Sequence, residues 1–175
     1  MKVKKTHIPH ESLVNNYLPA DYTDTFCCDV VTGRKFTADD LQISFWTVMP
    51  KWVEALFNLR NLLVKPFGLQ NDGAKEHTRE FEDCIRNGKS TGLASVVGKS
   101  ENETVICLND KHLRANMSVL IKERGGEKKS IYLITTVHFH YWLGRAYFYA
   151  ICPFHHIIVR CMLKSTVKRL EGEGR

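Results

Sequence analysis

Between residues 143 and 162, Leu143, Tyr147, Ile151, Phe154, Ile158 and Met162 recur at steps of three and four. That is the period of one face of an α-helix, and the intervening AYFYAI shows no strand-like alternation. The stripe runs straight through Pro153, which removes one backbone hydrogen bond and crowds the preceding turn. A single long helix over roughly 143–170, bent at Pro153, accounts for the pattern. Two abutting helices, with Pro153 opening the second, is the alternative. An apolar rod of this length must be buried against something large, and the preceding sequence supplies a sheet.

The runs TGLASVVGK, ETVICLN, LRANMSVLIKE and SIYLITTVHFH are separated by KSEN, ND and RGGEKK. Short turn-rich connections of this kind predict antiparallel hairpins. In the last run Ile131, Leu133, Val137 and Phe139 share one face; Tyr132, Ile134, Thr136, His138 and His140 share the other. An earlier strand reads from DYTDTFCCDVV, with Phe26, Cys28 and Val30 on one face. Thr37 followed by Asp40 approximates a capping box and predicts a helix near 38–48. Pro50 suits the first position of a second helix, 50–65, whose apolar set ends at Pro66 and Gly68. The polar stretch QNDGAKEHTREFEDCIRNGKS fits either a short helix through Phe81, Cys84 and Ile85, stopped at Asn87–Gly88, or a solvated loop. Residues 1–20, with Pro9 and Pro19, read as an extended lead-in, 21–170 as one domain and 171–175 as a flexible tail. The order is strand, two short helices, antiparallel strands, long helix. That is an α+β class with helices on one face of the sheet.

Composition narrows the function. The chain has 175 residues, 43% hydrophobic and 25% charged, which fits a soluble domain with a real core. The net charge of +6 favours acidic partners, but lysines and arginines cluster only at MKVKK and KSTVKR. No zinc-finger or RNA-binding string is present, so nucleic acid is not an expected partner. Six cysteines lack any C-x-x-C pair, and MKVKKTHIPHESL has no apolar signal region, so a cytoplasmic chain with reduced thiols is expected. Adjacent Cys27 and Cys28 should point to opposite faces of their strand. Arg145, His155, His156 and Arg160 interrupt the apolar run 141–162, so stable membrane insertion is not expected.

The blocks DYTDTF, PKWVEALFNLRNLLVKPFGL, LNDKHLRANMSVL and LGRAYFYAICPFHHIIVRCML, in this order between residues 21 and 163, resemble domain-of-unknown-function family 2867. That family is similar to the START-like helix-grip superfamily, in which a curved antiparallel sheet wraps a long C-terminal helix and encloses an apolar cavity. The resemblance implies that fold and cavity and carries no activity. Phe148 stands where the family pattern suggests tryptophan.

The candidate site residues follow from the helix. His155 falls within the apolar arc and should face the sheet or cavity, whereas His156, in line with Arg160 and Lys164, should face water. His155 then reads as a polar anchor or a general acid/base in an apolar pocket; the ordinary alternative is a core histidine satisfied by a carbonyl or a tyrosine hydroxyl. Tyr147, Trp52, Phe139, Ile158 and Met162 line a cavity or fill a core. Asp110 and His112 flank the NDKHL turn, which either simply sets turn geometry or meets a ligand at a cavity mouth. Arg60 breaks the stripe of the second helix, where it caps the cavity or snorkels. His138 and His140 have a chelating spacing but no third ligand, so no metal is expected, and no cofactor motif occurs. Two functions remain: binding of a small apolar or amphipathic molecule, or a cyclase-, isomerase- or hydrolase-type enzyme using a histidine. A third reading is an interaction module with an exposed aromatic helix face, and self-association is left open.

Overall fold

Alternating apolar residues make the strands, and the structure, a computed structural model, describes residues 1–47, 50–53, 55, 78–92 and 94–172. In chain order the elements are β1 (Val3–Lys5), β2 (Tyr22–Val31), α1 (Ala38–Thr47), α2 (Thr78–Asn87), β3 (Ser90–Thr91), β4 (Ala94–Lys99), β5 (Glu103–Asn109), β6 (Leu113–Glu123), β7 (Lys128–Phe139) and α3 (Trp142–Gly172). One curved, seven-stranded antiparallel sheet runs β1-β2-β7-β6-β5-β4-β3. A bulge between Val96 and Gly98 shifts the register of β4 on β5, a device that bends a strand. The class is α+β, with a long C-terminal helix.

Helices α1 and α3 cover one face. There Phe26, Cys28, Met117, Val119, Ile131 and Leu133 from the strands meet Leu41 and Phe45 of α1 and Val159, Met162, Leu163 and Val167 of α3. The interface with the C-terminal half of α3 is therefore filled by side chains. Cys27 packs in a separate cluster on the opposite face, as the strand alternation requires. Thr37 and Asp40 form the expected box at the start of α1: the Thr37 backbone N–H donates to Asp40 Oδ2 at 2.9 Å, and Asp40 N–H donates to Thr37 Oγ1 at 3.1 Å. The polar stretch resolves as helix α2, closed by Gly88 at φ 65°, a conformation glycine adopts without strain. Of the predicted helix 50–65, residues 51–53 and 55 are helical, and the remainder lies outside the described residues.

Residues 1–20 are more than an extended lead-in. β1 adds an edge strand beside β2, and a 3-10 turn, Leu13–Tyr17, covers the back of the sheet with Val14 fully buried. Glu103 is the latch: its carboxylate accepts Ser12 Oγ at 2.6 Å, Ser118 Oγ at 2.5 Å and the Leu13 N–H at 2.8 Å.

Helix α3 is continuous through Pro153. Pro153 lies on the exposed side, where water can take up the carbonyl it frees at Tyr149. The inward stripe differs from the predicted one in its first half. Gly144 and Phe148 are buried, while Phe154 is 54% exposed. The reason is Gly144: only a residue without Cβ lets the first turn approach the His112 carbonyl, 2.5 Å from where a Cβ would stand. That contact sets the rotation of the helix and turns Phe148 inward.

Candidate functional site

Strand β2 carries Tyr22, Asp24, Phe26, Cys28 and Val30 at alternate positions, and Asp24 is therefore a carboxylate on the apolar, helix-facing side. It is 3% exposed. A charge in that position is costly unless it is paired and hydrogen-bonded. α3 supplies the partners. His155 Nε2 lies 3.1 Å from Asp24 Oδ2, and His156 Nε2 lies 3.6 Å from the same oxygen. The Tyr22 hydroxyl donates to Asp24 Oδ2 at 2.7 Å and meets His156 Nε2 at 2.7 Å. Cys152 Sγ stands 3.6 Å from the Tyr22 hydroxyl and 3.9 Å from His156 Nε2.

The network fixes the protons. Tyr22 gives its only hydrogen to Asp24, so its oxygen accepts from His156 Nε2–H and, weakly, from Cys152. Asp24 can only accept, so His155 also carries its hydrogen on Nε2. The Nδ1 of each ring then makes no hydrogen bond to a described residue.

Burial pushes the Asp24 carboxyl upward, but the hydrogen bond and charge of His155, with the Tyr22 hydroxyl, outweigh it and hold the group below the usual carboxylate range. Burial, then the Cys152 and Asp24 contacts, pushes the Tyr22 phenol up, so it remains a donor at all physiological pH. Burial lowers His156, against the attraction of Asp24 and with help from the neighbouring His155, so it favours the neutral ring. The site thus holds one fixed negative charge and two imidazoles, whose side chains are 21% (His155) and 33% (His156) exposed. Among the described residues, Asp24 Oδ1 and, across the strand pair, Thr135 Oγ1 are buried with no partner at full hydrogen-bond geometry, although Thr135 lies close enough to help hold the Asp24 carboxyl down.

Aromatic rings lead outward from this cluster. Phe148 packs 4.7 Å from Tyr22, 6.0 Å from His155 and 5.5 Å from Phe139. Phe139 continues to Tyr149, which is exposed, at 6.1 Å. Asp21 ties the same region together, accepting the Phe139 N–H at 2.9 Å and pairing with Arg145 at 2.7 Å.

His155 faces Asp24 from the helix, and Phe139 belongs to the aromatic wall. The expectation for His156 is corrected: it faces the sheet beside His155, because the helix rotation set by Gly144 and Phe148 presents both rings to β2. Ile158 is partly buried against the core and Met162 is fully inside it. Tyr147 is half-buried, and Trp52 is exposed. Asp110 Oδ1 accepts the His112 and Leu113 N–H groups at 2.6 and 2.8 Å, which is the geometry of the turn. His112 Nδ1 pairs with the Tyr141 hydroxyl, so this hairpin tip docks the start of α3. Arg60 lies outside the described residues. His138 and His140 go to separate partners, the Tyr17 carbonyl and Asn109 Oδ1. No group of three potential metal ligands with suitable geometry occurs among the described residues. Asp24, Tyr22 and Thr135 are the residues that sequence reasoning missed. The signal was present: continuing the face Phe26, Cys28, Val30 backwards by twos reaches Asp24 and then Tyr22.

The profile of a protein family of unknown function, DUF2867, matches residues 17–162. No curated protein and no solved structure matches the chain. The match runs from the end of the 3-10 turn to Met162 and takes in Tyr22, Asp24, Cys152, His155 and His156, and the chain belongs to the DUF2867 family.

Proposed function

We propose that the protein is a START-like helix-grip domain of the cytoplasm that binds a small apolar or amphipathic molecule beside the N-terminal half of α3. The observation that supports this is the Asp24 cluster: two imidazoles held by a buried carboxylate, each with an Nδ1 that no described residue engages, at the inner end of an aromatic path. A ligand carbonyl or hydroxyl would hydrogen-bond to an imidazole, and its apolar body would lie on Phe139 and the exposed ring of Tyr149. Burial of apolar ligand surface supplies the affinity, at roughly 25 cal/mol per Å² before the costs of association.

A second reading, an enzyme of the isomerase, cyclase or hydrolase type, is favoured by one feature. A carboxylate that orients an imidazole through one nitrogen leaves the other as a general base. In that case Asp24 stabilises the imidazolium that forms when His155 takes a proton.

The test is native mass spectrometry of protein purified from its own host, joined to imidazole nitrogen NMR during titration with an uncharged ketone, 2-undecanone. A co-purifying small molecule, or ketone-dependent shifts of His155 and His156, supports the reading. Their joint absence ends it. His155→Gln separates the two roles: binding should fall by no more than about tenfold, one hydrogen bond, whereas turnover would vanish.

A further inference from the structure

The side of α3 turned away from the sheet carries Trp142, Tyr149, Pro153 and Ile157 at steps of seven, four and four, with Phe154 beside them, and all are exposed. Trp142 is 76% and Ile157 56% exposed. The strip runs for about 22 Å along the helix. Its one charged neighbour, Arg145, is turned to Asp21 at 2.7 Å. Single exposed apolar side chains are ordinary, but a contiguous strip marks a surface that meets something apolar.

Charge says what that is. Lys164 and Lys168 continue the same stripe at steps of seven and four, and both are exposed. Arg160, between them and Ile157, is held over the Phe26 ring at 5.0 Å. Lys5 of β1, opposite Phe26, adds an exposed cation at the flank of the helix. None of these three lysines has a carboxylate partner among the described residues. No aspartate or glutamate occurs between Trp142 and Leu170. A second copy docked through this helix would match the apolar strip but bring no acid from α3 to answer the lysines. A bilayer with anionic headgroups supplies both complements: acyl chains for the strip and negative charge for the lysines beyond it. Tryptophan and tyrosine suit the boundary between the two.

We propose that the outer face of α3 docks the protein on an anionic lipid bilayer, with the helix lying in the plane of the surface. Trp142, Phe154 and Ile157 enter the boundary between headgroups and acyl chains, and Lys164 and Lys168 reach the lipid phosphates. By length and composition alone α3 is long and apolar enough to cross a membrane. Val159, Met162, Leu163 and Val167 hold its inner side in the core, however, so the surface pose is the one open to the folded chain. The docking face goes beyond the reading of the Asp24 cluster and does not depend on it.

The test is flotation of the full chain at low salt with two kinds of vesicle: phosphatidylcholine alone, and phosphatidylcholine with phosphatidylserine in roughly equal amounts. The chain should float with the mixed vesicles and bind the neutral ones at least about tenfold more weakly. Tryptophan emission should move to shorter wavelength on binding, a change that Trp142→Phe removes. The double variant Lys164→Glu, Lys168→Glu should lower affinity for the mixed vesicles at least about tenfold. Trp142→Ser, Ile157→Ser should lower it by at least about tenfold as well. Tm should hold in both, because the free protein exposes all four side chains. His155→Gln should leave flotation unaltered, which separates this surface from the ligand reading above. No flotation with the mixed vesicles, equal affinity for both kinds, or indifference to either double variant would overturn the assignment. So would self-association of the lipid-free chain that Trp142→Ser, Ile157→Ser abolishes, which would give the face to a second copy.

Discussion

Asp24 of β2 and His155 of α3, 131 residues apart in sequence, meet with 3.1 Å between Oδ2 and Nε2. The contact joins the strand and the helix that carry the cluster. Asp24→Asn keeps the shape but removes the charge; its carbonyl oxygen can stay on Tyr22 and His155 while the amide NH2 takes the place of Oδ1. Losing the charge from hydrogen bonds made to a buried carboxylate should cost about 1.5–3 kcal/mol. Urea unfolding measures it, and a loss under about 0.5 kcal/mol, the ordinary scale of surface substitutions, would contradict the structural role assigned here to Asp24.

The pH dependence follows from the same groups. Asp24 is held below its unfolded value, so its contribution is present above the ordinary carboxylate range and is lost as pH falls through the folded value. His156 is also held down, but it is a base. Between its lowered folded value and about 6.5, the unfolded chain binds more protons, so stability rises with pH through that window. Tm should therefore be level only between about pH 7 and the ordinary thiol value of about 8.5, above which the buried thiols of Cys27, Cys28 and Cys84, held high, make it fall; it should also decline as pH drops below the ordinary histidine value and again in the carboxylate range. His156→Gln should remove the first acid-side decline and leave the second. The second is shared with Asp40 and Asp29, whose carboxyls are also held low, so Asp24→Asn should shrink it without abolishing it. A wild-type Tm that is constant from pH 7.5 to 5.5 would rule out the His156 assignment.

What the sequence disclosed and what it hid have a common physical basis. Strands β4 to β7 were legible because alternation and turn residues are local signals, and their boundaries fall within a few residues of the expected ones. The length of α3 was legible for the same reason. Its rotation was not. Period 3.6 gives a stripe, but many of the residues of 142–162 are apolar, so more than one stripe fits, and the choice was made by a tertiary contact between Gly144 and the His112 carbonyl. His155 was found on the right face, and His156 was placed on the wrong one because Arg160 and Lys164 below it are polar. Asp24 was overlooked because a carboxylate in a strand is ordinarily read as solvent-facing; only its position in the alternation with Phe26 places it inside.

Glu103 allows a test of the N-terminal segment. It is 1% exposed and accepts three hydrogen bonds, two from hydroxyls and one from the Leu13 N–H. In Glu103→Gln the hydroxyls of Ser12 and Ser118 can rotate to accept from the amide while its oxygen serves Leu13, so the cost should be about 1 kcal/mol. Glu103→Ala leaves three buried donors unmet and should cost about 2–4 kcal/mol. Hydrogen exchange should report selective opening of residues 12–18 in the alanine variant before global unfolding. Equal effects of the two substitutions would mean that the carboxylate does not hold the 3-10 turn in place.

Gly144 tests the rotation of α3. In an exposed helix position, glycine to alanine gains about 1 kcal/mol. Here the added Cβ would lie 2.5 Å from the His112 carbonyl oxygen and 3.2 Å from its carbon, both backbone atoms that cannot turn aside. Gly144→Ala should therefore destabilise by about 1–3 kcal/mol, the reverse of the propensity effect. The first turns of the helix would lift from the hairpin tip, and the disturbance should reach the His112–Tyr141 contact and, through Phe148, the rings of His155 and His156. Imidazole NMR shifts at those two residues in the variant, together with the loss of stability, are the expected pair of results. A stabilised Gly144→Ala with unmoved imidazole signals would show that the helix does not take its rotation from this contact.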